Sequence, residues 1–154
     1  MVDFIESYDC TIDNKGRIIV PVSLKRQLLP FADKKFVVKR SVHETCLELY
    51  VMDEWNKLRM KVSNLNPFKK KHAEFIRNFF AGVKEVEMDS TGRILIAKDL
   101  LAYSGISKDV TIASVGKKIE IWDKASYESK IADTGTTFGE LAEEVMGEID
   151  FSQD

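Results

Sequence analysis

Cysteine is scarce in this 154-residue chain, which contains only Cys10 and Cys46. Two cysteines are too few for the disulfide framework that stabilises small secreted domains. No apolar run approaches the roughly 18–20 residues that a membrane-spanning helix needs. The N-terminal residues are acidic where a signal peptide would be basic. The sequence therefore predicts a cytoplasmic protein that is not inserted in a membrane.

Histidine is equally rare, and its two copies, His43 and His72, lie in no recognisable catalytic context. Neither belongs to a nucleophile motif, and the chain has no glycine-rich loop of the kind that binds phosphates. His43 and Cys46 have a spacing that metal ligands use, but a single pair is a weak signal, and a loop histidine beside a buried cysteine is the simpler interpretation. We expect no enzyme activity, no metal, no cofactor and no small-molecule substrate.

The chain does contain enough apolar residues for a core, together with an uneven distribution of charge. Hydrophobic residues make up 44% of the sequence, which is typical of a folded protein. The net charge is −2, yet residues 1–84 carry 16 lysines and arginines against 10 acidic residues, whereas residues 85–154 carry 7 against 15. This asymmetry suggests one face that attracts polyanions, although ordinary scatter of surface charge can produce the same counts.

An internal duplication organises the chain. The run Asp13-Asn14-Lys15-Gly16-Arg17 recurs as Asp89-Ser90-Thr91-Gly92-Arg93, and an apolar strand follows each copy. Each repeat has the pattern of a strand, a turn, a second strand, a short helix and two further strands. The sequence predicts a β-rich α+β protein with helices appended to each repeat. We expect a first repeat at 1–53, connecting helices at 54–84, a second repeat at 85–123, and C-terminal helices with an acidic tail at 124–154.

The appended helices have recognisable ends and apolar faces. Asp53 is placed to cap a helix running toward Val62, and Thr137 with Glu140 has capping-box spacing. One helical face is formed by Phe68, Phe75, Ile76, Phe79 and Phe80. A second stripe, on the C-terminal helix, contains Leu141, Val145 and Met146. The two stripes, together with Trp55 and Trp122, exceed what we expect one small chain to bury. The surplus predicts a homo-oligomer larger than a dimer.

The repeated turns have a clear local chemistry. Gly16 and Gly92 suit the left-handed position of a hairpin loop, and the aspartates can accept hydrogen bonds from the N–H groups of the turn. The arginine four residues later can pair with that carboxylate, or it can bind a phosphate or a guanine edge. Bracing of the hairpin and binding of a ligand both remain open at this point.

The first repeat has more positive charge near its turn than the second. Lys15, Lys25 and Arg26 accompany Arg17 within a dozen residues of sequence. In the second repeat, Thr91 and Leu101 replace the two lysines. The candidate residues for contacting the phosphates or base edges of DNA are Lys15, Arg17, Lys25, Arg26 and Arg93, with Asp13, Gly16, Asp89 and Gly92 shaping the turns. On this distribution, Arg17 is expected to contribute more than Arg93.

Two such turns, 76 residues apart, together with the runs Arg77-Asn78-Phe79-Phe80-Ala81-Gly82 and Glu120-Ile121-Trp122-Asp123, resemble the MraZ family. These bacterial regulators are related to the AbrB and MazE DNA-binding modules. The resemblance implies two tandem AbrB-like (SpoVT-AbrB) repeats forming a pseudo-two-fold swapped-hairpin barrel. It also implies ring-shaped oligomers that bind short direct repeats of double-stranded DNA upstream of the division and cell-wall gene cluster, and hence an association with the nucleoid. The alternative is a protein-binding module of the antitoxin type, which usually has one repeat and a longer tail.

Overall fold

The computed structural model describes residues 3–31, 35–133, 135 and 137–152. The chain divides into two compact units, Met1–Lys124 and Ala125–Asp154. Both sequence repeats lie in the first unit. The described residues form, in order, β1 (Ser7–Thr11), β2 (Arg17–Ile19), α1 (Val22–Leu28), β3 (Lys35–Arg40), β4 (Leu47–Val51), α2 (Met52–Ser63), α3 (Lys70–Phe80), β5 (Lys84–Glu87), β6 (Arg93–Leu95), α4 (Lys98–Ser104), β7 (Asp109–Val115), β8 (Lys118–Asp123), α5 (Lys124–Ala132) and α6 (Phe138–Met146). The predicted α+β class is confirmed.

The strands form a six-stranded antiparallel sheet and a separate two-stranded ribbon. The sheet has the order β1-β7-β8-β4-β3-β5, and β2 pairs with β6 in the ribbon. The first strand of each repeat pairs with the third strand of the other repeat, since β1 lies against β7 and β5 lies against β3. The two repeats therefore exchange strands. Among the described residues the six-stranded sheet is open at β1 and β5, so they do not form the closed barrel that the resemblance implies.

The main core lies between one face of the sheet, the ribbon, and helices α1 and α4. Ile18 and Ile94 face this core from the centre of the ribbon, with 0% and 2% of their surface exposed. Leu24 and Leu28, one turn apart on α1, are buried against it as their spacing predicts. Both repeats therefore contribute to a single core.

A second, aromatic cluster covers the opposite face of β3 and β4. Helices α2 and α3 place Trp55 and Phe79 there, with ring centroids 5.8 Å apart and planes 2° apart. The two residues are 6% and 7% exposed, and Trp122 is 4% exposed. Trp55, Phe79 and Trp122 are therefore buried within the chain and are not part of the predicted apolar surplus. Phe68, by contrast, precedes α3 and is 96% exposed, so it does not share the buried face.

Charged side chains are buried beside this aromatic cluster. Lys39 and Glu48, from neighbouring strands, are 2% and 4% exposed. Glu48 accepts hydrogen bonds from the Tyr50 hydroxyl at 2.9 Å and from Lys118 Nζ. Removal from water lowers the pKa of Lys39, although the nearby carboxylate of Glu48 acts in the opposite direction. The pairing of opposite charges makes this burial tolerable.

Of the two residues predicted to cap helices, Asp53 and Thr137, only Thr137 does so. Asp53 is not the cap of α2, because the helix already begins at Met52, and Asp53 lies in its first turn. The side chain of Thr137 does cap α6, accepting a hydrogen bond from the N–H of Glu140 at 3.1 Å. No helix among the described residues combines the length and the apolar character that crossing a membrane would require.

Candidate nucleic-acid interface

The first turn is held together by its own aspartate. Asp13 Oδ1 accepts hydrogen bonds from the backbone N–H groups of Lys15 and Arg17, both at 2.9 Å. Asp13 Oδ2 accepts a third from Arg17 Nε at 2.8 Å. Gly16 has a φ of 85°, and a Cβ added to it would lie 3.0 Å from the carbonyl oxygen of Ile96. The position therefore requires glycine, both for its backbone conformation and for the close approach of the second repeat.

The second turn reproduces this geometry. Asp89 Oδ1 accepts hydrogen bonds from the N–H groups of Thr91 at 3.0 Å and Arg93 at 2.9 Å, and also from the Thr91 hydroxyl. Asp89 Oδ2 accepts one from Arg93 Nε at 2.9 Å. Gly92 has a φ of 79°. The sequence duplication is therefore also a duplication of side-chain geometry.

Each aspartate is held in its charged form and orients its arginine. The hydrogen bond from the Arg17 N–H to the carboxylate is the main reason that the pKa of Asp13 lies below its ordinary value. The equivalent bond from Arg93 is the largest of the hydrogen-bond contributions that lower the pKa of Asp89 to about 2. Each carboxylate binds the Nε of its arginine, and within the described part of the chain the η nitrogens of both arginines make no hydrogen bond. Bracing of the turn therefore leaves the outer edge of each guanidinium free to bind a ligand.

The strand exchange places the two turns at opposite ends of the ribbon. Strands β2 and β6 pair antiparallel about Ile18 and Ile94. The N–H of Val20 donates to the carbonyl of Gly92 at 2.9 Å, and the N–H of Ile96 donates to the carbonyl of Gly16 at 2.8 Å. Each turn is thus fixed to the strand of the other repeat. The two arginines have a defined relative position because one hydrogen-bonded unit carries both.

One face of the ribbon is exposed, and it carries both arginines. Side chains alternate between the two faces of a strand, so the burial of Ile18 and Ile94 turns their neighbours outward. Arg17 and Arg93 each have 31% of their side-chain surface exposed. The exposed face contains Arg17, Ile19, Arg93 and Leu95.

The remaining predicted cations are divided between the two ends. Lys15 is exposed in the first turn. The side chain of Lys25 lies against the second turn, since a Cβ added to Gly92 would be 3.1 Å from Lys25 Nζ. At the first turn the corresponding neighbour of Gly16 is Leu101, at 3.4 Å. Each end of the ribbon therefore has one arginine and one lysine, which differs from the grouping of Lys25 with Arg17 that sequence proximity suggested.

Arg26 and the second histidine lie outside this arrangement. Arg26 is exposed in the last turn of α1 and makes no hydrogen bond or ion pair with the described residues. His72 is half-buried on α3, where its Nδ1 accepts a hydrogen bond from the N–H of Asn66 at 3.3 Å. His43 is exposed and Cys46 is buried, and burial raises the pKa of the Cys46 thiol to about 12.

Two residues of the exposed face were missed by the sequence reasoning. Ile19 and Leu95 lie within the runs read as apolar strands, yet they are 64% and 57% exposed. The signal that could have identified them is the two-residue period, because burial of Ile18 and Val20 forces Ile19 to the other face.

Comparison with known proteins agrees with the duplication. The family model described as "MraZ protein, putative antitoxin-like" matches residues 4–78 and again residues 79–144. A protein of Christiangramia forsetii named "Transcriptional regulator MraZ" is 50% identical over 151 residues, covering 98% of this chain and 97% of that protein. The proteins of the same name from Flavobacterium psychrophilum and Cytophaga hutchinsonii are 47% identical over 149 residues and 41% identical over 143. These two matches cover 97% and 93% of this chain, and 95% and 94% of the respective relatives. With the family model matching twice and the relatives matching over nearly their full length, the chain belongs to the MraZ family.

Proposed function

We propose that this protein is a sequence-specific DNA-binding transcriptional regulator that contacts double-stranded DNA through the β2–β6 ribbon and its two turns. The relatives are named transcriptional regulators. The observation that carries the proposal is the pair of arginines on one exposed ribbon face, each held through Nε by an aspartate. A two-stranded ribbon fits the major groove of DNA, and an arginine whose η nitrogens are free can bind guanine O6 and N7.

The lysines around the ribbon suit contacts to the DNA backbone. Lys15 at one end and Lys25 at the other extend the positive charge beyond the arginines, and Arg26 is exposed on α1. Phosphate contacts position a protein on DNA, whereas base contacts specify the sequence. The sequence distribution predicted a larger contribution from Arg17. In the folded chain the two arginines have equivalent geometry and each has one lysine nearby, so we expect Arg17 and Arg93 to contribute comparably.

Arginine-to-lysine variants separate recognition of bases from electrostatic attraction to DNA. Arg17→Lys and Arg93→Lys keep the positive charge but lose the planar fork needed for a bidentate bond. Each change should reduce the preference for a selected duplex over an unrelated one by about 1–3 kcal/mol per contact, with nonspecific binding largely retained. Fluorescence anisotropy on both duplexes measures this, and Arg59→Lys on α2 is the matched control. Equal affinity of the unaltered protein for both duplexes would contradict the proposal.

The resemblance adds finer points that belong to the same proposal. The DNA sites are short direct repeats upstream of the division and cell-wall gene cluster, and the protein acts in the cytoplasm on the nucleoid. Footprinting of the purified protein over that upstream region tests the location. Protection confined to other regions would refute the assignment of the target.

We also propose a ring-shaped homo-oligomer larger than a dimer. Helix α6 supports it, because an apolar stripe on the helix is exposed in the single chain, with Phe138 78%, Leu141 40%, Val145 53% and Met146 45% exposed. A basic first half and an acidic second half suit head-to-tail contacts between identical subunits. Several ribbons in one assembly would bind several repeats with higher avidity than one.

Light scattering at micromolar concentration tests the assembly. The expected mass is several times that of the 17.6 kDa chain. Val145→Glu should lower the mass because it places a charge on the apolar stripe, whereas Glu144→Gln, on the same helix, should not. A monomeric unaltered protein would refute the ring. A Val145→Glu variant of unchanged mass would instead leave this stripe available to another protein, as the antitoxin-type alternative requires.

A further inference from the structure

Two large aliphatic side chains stand beside the arginines of the ribbon. Ile19 and Leu95 are 64% and 57% exposed, although the same short strands bury Ile18 and Ile94 almost completely. The fold does not need Ile19 and Leu95 as core, because the opposite face of the ribbon already supplies it. An aliphatic pair on a face that is otherwise cationic is suited to a partner with both polar and apolar groups.

The strand register gives this face a regular pattern. Arg17 lies opposite Leu95, and Ile19 lies opposite Arg93. Each of the two rows therefore contains one guanidinium and one aliphatic side chain, about 5 Å apart across the strands. The rows are separated by two residues along each strand, or roughly 7 Å. Base pairs stack about 3.4 Å apart. A ribbon whose strands run along the base stack would therefore place the two rows about two base-pair steps apart.

The chemistry of the major groove provides one matching apolar group. Guanine presents two acceptors, and cytosine and adenine present amino donors, while the C5-methyl of thymine is the apolar group on these edges. A leucine or isoleucine placed against a cytosine amino group would desolvate it without offering a hydrogen bond. An aliphatic side chain next to a DNA-reading arginine therefore favours thymine at its own position.

We infer that Ile19 and Leu95 contact thymine methyl groups in the major groove, so that each row of the ribbon pairs an arginine contact with an adjacent thymine contact. This inference rests on the proposed function, because it requires the ribbon to bind DNA bases. It adds two specificity-determining residues, one from each repeat. The thymine positions belong to two sites about two base pairs apart.

The test combines a change in the protein with the removal of single methyl groups from the DNA. The probe is a duplex enriched by the unaltered full-length protein from a random-sequence pool, and each thymine is replaced in turn by deoxyuridine. At the contacted positions the unaltered protein should lose affinity about fourfold for each methyl removed. Leu95→Ala and Ile19→Ala should each bind the original duplex more weakly and become insensitive to deoxyuridine at one of these positions.

A control variant and the pattern of results separate a failure of the thymine contacts from a failure of the proposed DNA binding. Met60→Ala on α2, which packs on β3 and β4, removes an equally exposed side chain and should keep the full deoxyuridine effect. Thermal unfolding of each variant checks that the ribbon is intact. A selected duplex that shows no deoxyuridine effect, or the same effect in all variants, overturns the thymine contacts alone. Failure of the pool to yield any preferred sequence overturns both the thymine contacts and the proposed function.

Discussion

Replacing Lys25 by leucine tests whether Lys25 acts with Arg93, from the other repeat, in the proposed DNA binding. Leucine is the matched choice because Leu101 occupies the equivalent position in the second repeat. The Lys25 side chain lies against Gly92, at the end of the ribbon that carries Arg93. Sequence proximity groups it instead with Arg17, at the opposite end. The structure predicts that Lys25 acts with Arg93 when DNA binds, whereas sequence proximity predicts that it acts with Arg17.

The expected magnitude follows from the removal of one lysine–phosphate interaction at each bound ribbon. The slope of log affinity against log salt concentration should become shallower by about 0.9 for each phosphate that is no longer neutralised. For one such phosphate, the loss of affinity caused by a fourfold rise in salt should be roughly 3.5-fold smaller in the variant than in the unaltered protein. In a double-mutant cycle, Lys25→Leu and Arg93→Ala should show a coupling of about 0.5–3 kcal/mol, as groups at one site do. Lys25→Leu and Arg17→Ala should be additive to within about 0.5 kcal/mol.

Fluorescence anisotropy with one fixed duplex over a series of salt concentrations measures all of these quantities. The reverse change, Leu101→Lys, is the complementary control, because it adds a cation beside Gly16 and should steepen the salt dependence by a similar amount. Coupling of Lys25 to Arg17, together with additivity toward Arg93, would refute the shared end and the strand exchange that creates it.

Three further predictions concern stability. Denaturant unfolding should show that Gly16→Ala destabilises the fold more than Gly105→Ala. Alanine at either position incurs about 1–2 kcal/mol of left-handed strain, but only at Gly16 would its Cβ also approach the Ile96 carbonyl. Ile18→Ala should cost about 2–5 kcal/mol because it leaves a cavity beneath the ribbon, and a smaller loss would mean that the ribbon is not part of the core. The Asp89 pKa is lowered from 3.8 to about 2, so its contribution to stability is complete above its ordinary pKa and is lost as pH falls toward 2. Asp89→Asn should remove that part of the acid-unfolding curve, and an unchanged curve would show that the carboxylate is not stabilising.

Local features of the fold could be predicted from the sequence because they depend on neighbouring residues. The Asp-x-x-Gly-Arg runs define their own hydrogen bonds, so both turns have the predicted carboxylate and glycine roles. Leu24 and Leu28 identify the buried side of α1 by their spacing. The duplication itself is visible by inspection and predicts two equivalent sites.

Which side chains are buried, and which residues they contact, depended on packing between distant parts of the chain. Trp55 and Phe79 become buried because α2 and α3 fold back over β3 and β4, which helical periodicity does not specify. Lys39 and Glu48 have the alternating pattern of a solvent-exposed strand face, yet the aromatic cluster beside them removes both from water. Periodicity identifies which face a side chain occupies, but not whether another layer covers that face.

The candidate site likewise combines features that follow from the sequence with features that follow only from the fold. The sequence by itself determined the two turns, the arginines and the residue types that can bind DNA. Tertiary structure decided which of these groups lie together. Strand pairing joins segments about 75 residues apart, and the local sequence pattern does not encode that choice. The exchange moves Lys25 to the turn of the other repeat and brings Ile19 beside Arg93. The composition of each end of the ribbon is therefore a property of the folded pair of repeats and of neither repeat separately.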